Sequence, residues 1–195
     1  GLRTGSIASP YPEEANRRLL SQITSLHLCP TGRSRENLLR EAFDPTTVLV
    51  TGNTVIDALL DAVTRPVQPT DPALAEALSD PARRVVLVTA HRRESWGEPM
   101  ERIGQAVARL ARAHTDTLFV LPAHRNPRVR RALLPRVAGH DNVVVTEPLE
   151  YGQFCTLMHR ADVVLTDSGG IQEEAPALSK PVLVMRCLLY TSDAA

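Results

Sequence analysis

The sequence predicts an α/β protein built on parallel, Rossmann-like sheets, and three observations carry that expectation. From Arg84 onward, short β-branched apolar runs alternate with longer amphipathic stretches, the pattern of successive βαβ units. Proline stands at, or just before, three of the helix starts, where its fixed φ suits the first turn and its missing N–H is no loss. The run Ala161-Asp162-Val163-Val164-Leu165-Thr166-Asp167-Ser168-Gly169-Gly170-Ile171-Gln172-Glu173-Glu174 breaks an apolar strand with Ser-Gly-Gly and resumes with helix formers, which reads as strand, turn, helix.

The first part of the chain is less regular. Pro12 to Leu26 has apolar residues at helical spacing behind a Glu pair, Leu26 to Cys29 reads as a short strand, and Ser34 to Phe43 as a second helix. Val48-Leu49-Val50 is a strand closing on Thr51-Gly52-Asn53-Thr54, and Val55 to Val63 is a helix. Four prolines between Thr64 and Arg83 mark a connector around one short helix. Strands follow at Val85 to Thr89, Thr117 to Leu121, Val143 to Val145, Val163 to Thr166 and Val182 to Met185. Helices are expected at Pro99 to His114, Pro127 to Val137, Tyr151 to Arg160 and Gly170 to Leu178.

Composition narrows the function. The 22 basic and 22 acidic residues cancel, and aromatic residues make up 4% of the chain, which disfavours a nucleic-acid partner. No apolar run approaches the roughly 20 residues that span a bilayer, and the first residues lack the pattern of a signal peptide, so a cytoplasmic location without membrane contact is expected. Cys29, Cys155 and Cys187 have neither CxxC nor Cys/His ligand spacing and read as ordinary thiols. The abrupt start at Gly1-Leu2-Arg3-Thr4-Gly5 reads as the middle of a polar loop, so a piece of a longer protein is expected.

In an open parallel sheet, ligands bind beyond the carboxyl ends of the strands. Three loops expected on that rim carry polar motifs: Ala90-His91-Arg92-Arg93-Glu94, His124-Arg125-Asn126-Pro127 and Ser168-Gly169-Gly170. Glycines let a backbone approach a ligand closely, and the free N–H groups of a helix start favour an anion. Ser168 adds a hydroxyl that either caps the helix or holds a phosphate oxygen. Glu174, one to two turns further, either is solvated or accepts hydrogen bonds from a ribose diol. His91, beside two arginines that favour neutral imidazole, either caps the next helix or attends a leaving diphosphate. His124 is a packing or capping histidine or a further member of the rim, and Trp96 is core or a lid. Glu13 and Glu14 sit where carboxylates suit a helix dipole.

The motifs Gly1-Leu2-Arg3-Thr4-Gly5, Pro12-Glu13-Glu14-Ala15-Asn16-Arg17, Thr51-Gly52-Asn53-Thr54-Val55-Ile56-Asp57, His91-Arg92-Arg93-Glu94 and Asp167-Ser168-Gly169-Gly170-Ile171-Gln172-Glu173-Glu174 occur in that order. Together, from residue 1 to about Arg186, they resemble the non-hydrolysing UDP-N-acetylglucosamine (UDP-GlcNAc) 2-epimerases of bacteria. The resemblance implies a glycosyltransferase-B architecture of two Rossmann-like domains. Residues 1–52 would close the N-terminal domain, 53–186 would form the UDP-binding C-terminal domain with 53–83 as connector helix and linker, and 187–195 match nothing in the family's pattern.

By the same resemblance, Ser168, Gly169 and Gly170 would hold the diphosphate, Glu174 the ribose, and Phe154 would lie near the uracil. His91 would help the leaving group depart, and Glu13 matches a catalytic cleft carboxylate. Arg92, Glu94 and His124 match positions near a second, activating UDP-GlcNAc. The implied reaction interconverts UDP-GlcNAc and UDP-N-acetylmannosamine (UDP-ManNAc) by elimination and return of UDP through 2-acetamidoglucal, with no cofactor and no metal, in a homodimer that serves cell-envelope polysaccharide synthesis. Further family carboxylates lie before the position of Gly1, so the 195 residues alone are expected to be inactive. A glycosyltransferase of the same architecture, a hydrolysing 2-epimerase and a non-catalytic UDP-binding module are the alternatives.

Overall fold

The computed structural model describes residues 1–8 and 11–185, with Glu94 through its backbone alone; the segment 187–195 lies outside them. The described residues divide into two compact units that meet in sequence between Ala58 and Leu59.

The first unit contains α1 (Glu13–Ile23), β1 (His27–Cys29), α2 (Gly32–Arg40), a 3-10 turn at Pro45–Thr47 and β2 (Val48–Val50); the helix α3 (Thr54–Thr64) follows. Helix α2 starts two residues before the expected Ser34 because Thr31 caps it, its hydroxyl accepting from the Ser34 N–H at 3.2 Å. Strands β1 and β2 pair in parallel, His27 beside Val48 and Cys29 beside Val50. A small core of Cys29, Leu38 and Val48 lies on one side of the pair, while Leu28, Leu49 and Val50 are exposed.

Arg3 ties this unit together. Its guanidinium donates to both carboxylate oxygens of Glu41, at 2.8 and 2.9 Å, and to the Ser21 hydroxyl at 2.9 Å. The hydrogen bonds from Arg3 outweigh burial and hold the Glu41 carboxyl below its usual range. A carboxylate whose folded pKa is depressed contributes stability that is complete above the unfolded pKa and is lost as pH falls through the folded one. Glu41→Gln should therefore flatten the acid limb of this unit's stability curve, as read by urea unfolding between neutral pH and pH ~3.

The second unit is a doubly wound sheet. After α4 (Pro72–Ala77) come β3 (Val85–Thr89), α5 (Glu98–Ala113), β4 (Leu118–Pro122), α6 (Pro127–Val137), β5 (Val143–Thr146), α7 (Tyr151–Arg160), β6 (Val163–Thr166), α8 (Ile171–Ala177) and β7 (Val182–Val184). All pairings are parallel, in the order β5-β4-β3-β6-β7. Alternate residues of the central strands feed opposite cores. Val85, Leu87, Leu118, Val120 and Val164 pack with residues of α3, α4, α7 and α8, whereas Val88, Phe119, Leu121 and Leu165 pack with α5 and α6. The expected element boundaries differ from these by a few residues at most. Strand β4, for example, starts one residue late because Thr117 closes a turn on the His114 carbonyl at 3.1 Å.

Two polar side chains staple the layers at the end of the sheet remote from the rim. Asn142 is buried, and its amide nitrogen donates to the carbonyls of Ala111, His114 and Thr117, each at 3.0 Å. One Arg160 nitrogen reaches the carbonyls of Asp80, Pro81 and Arg83 at 3.2, 3.1 and 2.6 Å, holding the end of the connector.

Candidate functional site

The strand order reverses at β3, which starts a run outward through β4 and β5 before the chain returns to place β6 on its other side. Such a switch point opens a crevice at the carboxyl ends of the two strands. The loops after β3 and β6 meet there, and Asp167 joins them. The Thr89 and Thr166 hydroxyls, buried at the two strand ends, share a 2.6 Å hydrogen bond, and the Asp167 N–H donates to the Thr89 carbonyl at 3.2 Å.

The Asp167 side chain is fully buried. One oxygen, Oδ2, accepts from the His91 and Arg92 N–H groups at 2.9 and 2.8 Å; the other, Oδ1, accepts from the His91 N–H at 3.1 Å and lies 3.2 Å from His91 Nδ1. Burial alone pushes the Asp167 carboxyl up, but the bonds from the His91 ring and the two N–H groups pull harder and leave it below its usual range. His91 is thus held from behind by a carboxylate, an anion within contact distance that the two arginines of the motif did not foretell.

The His91 ring stacks on His124, with centroids 6.0 Å apart and planes at 22°. His124 Nδ1 accepts from the Asn126 N–H at 3.1 Å, and Asn126 caps α6 by accepting from the Arg128 N–H at 2.9 Å. Neither histidine caps a helix through its side chain: α5 has Gly97 at its N-cap, and α6 has Asn126. Trp96 donates to the His91 carbonyl at 3.4 Å and lies 5.8 Å beneath the Arg128 guanidinium, fixing the loop from outside. Arg92 Nε is buried without a hydrogen-bond partner among the described residues, and Glu94 belongs to the 3-10 turn Arg93–Ser95.

Across the crevice mouth, the Ser-Gly-Gly turn departs from the capping alternative. Ser168 does not cap α8; Gly170 occupies the N-cap position and makes no side-chain cap. Among the described residues, the Gly169 and Gly170 N–H groups donate to no protein acceptor. Gly170 has φ −65° and ψ −45°, which any residue adopts, and a Cβ there would meet nothing nearer than Ser168 Oγ at 3.9 Å. Neither strain nor crowding inside the protein requires that glycine, which points to close approach by something from outside.

One turn on, Glu174 is half-buried, and burial with the neighbouring Glu173 pushes its carboxyl up. Burial also pushes up the Tyr151 hydroxyl and the Cys155 thiol, which share a hydrogen bond near Glu174. Phe154 packs partly buried against the same core. In the first unit, Glu14 is fully buried by Arg17 and Arg18 at 3.1 and 3.2 Å, whereas Glu13 is exposed and unpaired among the described residues.

Residues 1–188 match the family described as UDP-N-acetylglucosamine 2-epimerase. The chain belongs to that family. The UDP-N-acetylglucosamine 2-epimerase of Escherichia coli K12 is 50% identical over 192 residues, covering 95% of this chain and 50% of that protein. The enzyme of that name from Yersinia pestis is 48% identical over 190 residues, with the same coverage. The chain thus spans about half the length of the curated relatives it matches. Among solved structures, the Neisseria meningitidis UDP-GlcNAc 2-epimerase bound to UDP-GlcNAc is 42% identical with TM-score 0.86, covering 97% of this chain and 52% of that one. The S. aureus MnaA–UDP co-structure is 42% identical with TM-score 0.85, covering 95% and 50%. These epimerases have the glycosyltransferase-B fold, and the parallel α/β class expected from the sequence is the one observed.

The residue missed by sequence reasoning is Asp167, which stood inside the strand–turn–helix motif without a role. Its signal was an acidic residue directly after the strand Val163–Thr166, one step before the Ser-Gly-Gly turn.

Proposed function

We propose that these residues form the nucleotide-binding part of a UDP-GlcNAc 2-epimerase, the activity belonging to the whole protein. The observation that carries the reading is the Ser168-Gly169-Gly170 turn, with two unpaired N–H groups and an uncrowded glycine, set at the switch point beside His91. Ser168, Gly169 and Gly170 take the diphosphate, Glu174 the ribose diol, and Phe154 the side of the uracil. His91 attends the departing UDP, and Glu13 serves proton transfer at carbon 2. Arg92, Glu94 and His124 attend a second, activating UDP-GlcNAc.

The reaction follows from the substrate. Carbon 2 has no adjacent carbonyl, so direct deprotonation is costly. Loss of UDP across carbons 1 and 2 gives 2-acetamidoglucal, and UDP returns as a proton reaches the opposite face. Donors for the diphosphate and placed proton carriers are what such an elimination needs. The non-hydrolysing outcome, the homodimer, the cytoplasmic setting and the role in envelope polysaccharides belong to this proposal; no helix among the described residues is long and apolar enough to cross a membrane.

Calorimetry with UDP on the 195-residue chain should show one binding event, and UDP-GlcNAc should yield no UDP-ManNAc until the rest of the protein is supplied. With the whole protein, UDP-ManNAc without free N-acetylmannosamine is the expected product. Free sugar would favour the hydrolysing reading, and a requirement for an acceptor the glycosyltransferase.

Glu174 adds a pH signature. A carboxylate accepts both ribose hydroxyls and a carboxylic acid does not, and this carboxyl protonates above the usual range. UDP affinity should therefore weaken on acidification at a pH higher than an ordinary glutamate would give. Glu174→Gln should remove that dependence and lower affinity about 10-fold, as calorimetry across pH would show.

A further inference from the structure

We infer that Asp167 is the positioning residue of His91, fixing the ring so that Nδ1 always keeps its proton and Nε2 is the only nitrogen that exchanges one with the crevice. The inference rests on the proposed epimerase reading for its chemical role but on the geometry alone for the tautomer. Asp167 is fully buried, and its Oδ1 lies 3.2 Å from His91 Nδ1. The carboxylate cannot rotate away, because the His91 and Arg92 N–H groups and its own backbone bond to Thr89 hold it. Neighbouring groups do not compete for Nδ1: the stacked His124 spends its own Nδ1 on the Asn126 N–H, and the Arg92 backbone N–H is on Asp167.

An ionised carboxylate only accepts, so the nitrogen facing it must carry hydrogen in the neutral ring as well as in the imidazolium. In the elimination, the imidazolium Nε2–H goes to the oxygen between carbon 1 and phosphorus. The carbon–oxygen bond pair leaves with UDP, the carbon 2 proton passes to a separate base, and the ring is left neutral with Nδ1–H still on Asp167. On return of UDP the same nitrogen takes the proton back as the oxygen rejoins carbon 1. The other tautomer would have Nδ1 bare against a buried anion.

The test is the tautomer of neutral His91, read by long-range proton–nitrogen correlation on the histidine-labelled 195-residue chain, with His91→Gln to assign its signals. A protonated Nδ1 and bare Nε2 in the parent chain supports the inference; a protonated Nε2 overturns it without recourse to any variant of Asp167. In Asp167→Asn, the amide oxygen keeps the two backbone N–H groups and its NH2 turns to Nδ1, so the tautomer should switch to Nε2–H. An unchanged tautomer in a folded variant overturns the inference. In the whole enzyme, the same variant should lower kcat at least about 100-fold with KM changed little. If UDP leaves the His91 signals unmoved while the tautomer stands, the nucleotide reading fails and the positioning does not.

Discussion

Gly170→Asp should leave the protein folded and remove most of its affinity for UDP, by about 100-fold or more. The backbone at Gly170 is right-handed and helical, and a Cβ finds open space there, so the fold has no need of the glycine. An aspartate at a helix N-cap is if anything favourable, worth up to about 1 kcal/mol. The same carboxylate would stand where the diphosphate is proposed to bind. Two like charges about 4 Å apart near a protein surface repel by roughly 4 kcal/mol, several times the expected gain in folding. Calorimetry with UDP and a thermal melt on the same sample separate the two effects. Gly170→Ala should behave alike in the melt and lose less affinity. Unchanged UDP binding in the aspartate variant would place the diphosphate elsewhere.

Asn142→Asp should be the most damaging single-atom change outside the rim, costing about 3 to 5 kcal/mol at neutral pH. The substitution replaces the amide nitrogen that serves three carbonyls at 3.0 Å with an oxygen that repels them, at a position 8% exposed. Those carbonyls belong to the end of α5 and the turn into β4, so the loss separates a helix from the sheet it covers. Urea unfolding should show the full deficit at pH 7 and a smaller one on acidification, because a protonated aspartate regains one donor. Near-parent stability at neutral pH would mean that water reaches these carbonyls and the staple is not needed.

Much of the architecture was legible from local pattern. The strand at Val163–Thr166 was marked by β-branched residues, the helix at Tyr151–Arg160 by its amphipathic pattern, and α6 by Pro127 at its first turn, whereas its cap proved to be Asn126 and not His124. Those signals act over a few residues and need no partner to be read. The site was legible in pieces: His91, His124 and Ser168 each stood in a loop expected on one rim. How they work was not legible, since the same histidine could cap, pack or carry a proton.

Sequence alone was enough for the α/β class, the family and the Ser-Gly-Gly turn, because periodicity, turn chemistry and motif order are properties of contiguous residues. Tertiary structure assigned the rest. It set β6 against β3, put the Asp167 carboxylate on N–H groups 76 and 75 positions earlier in the chain, and left Ser168 and the two glycines uncapped. The physical reason is that a buried carboxylate must satisfy its lone pairs with whatever donors the sheet brings near, and pairing order, not local sequence, chooses them.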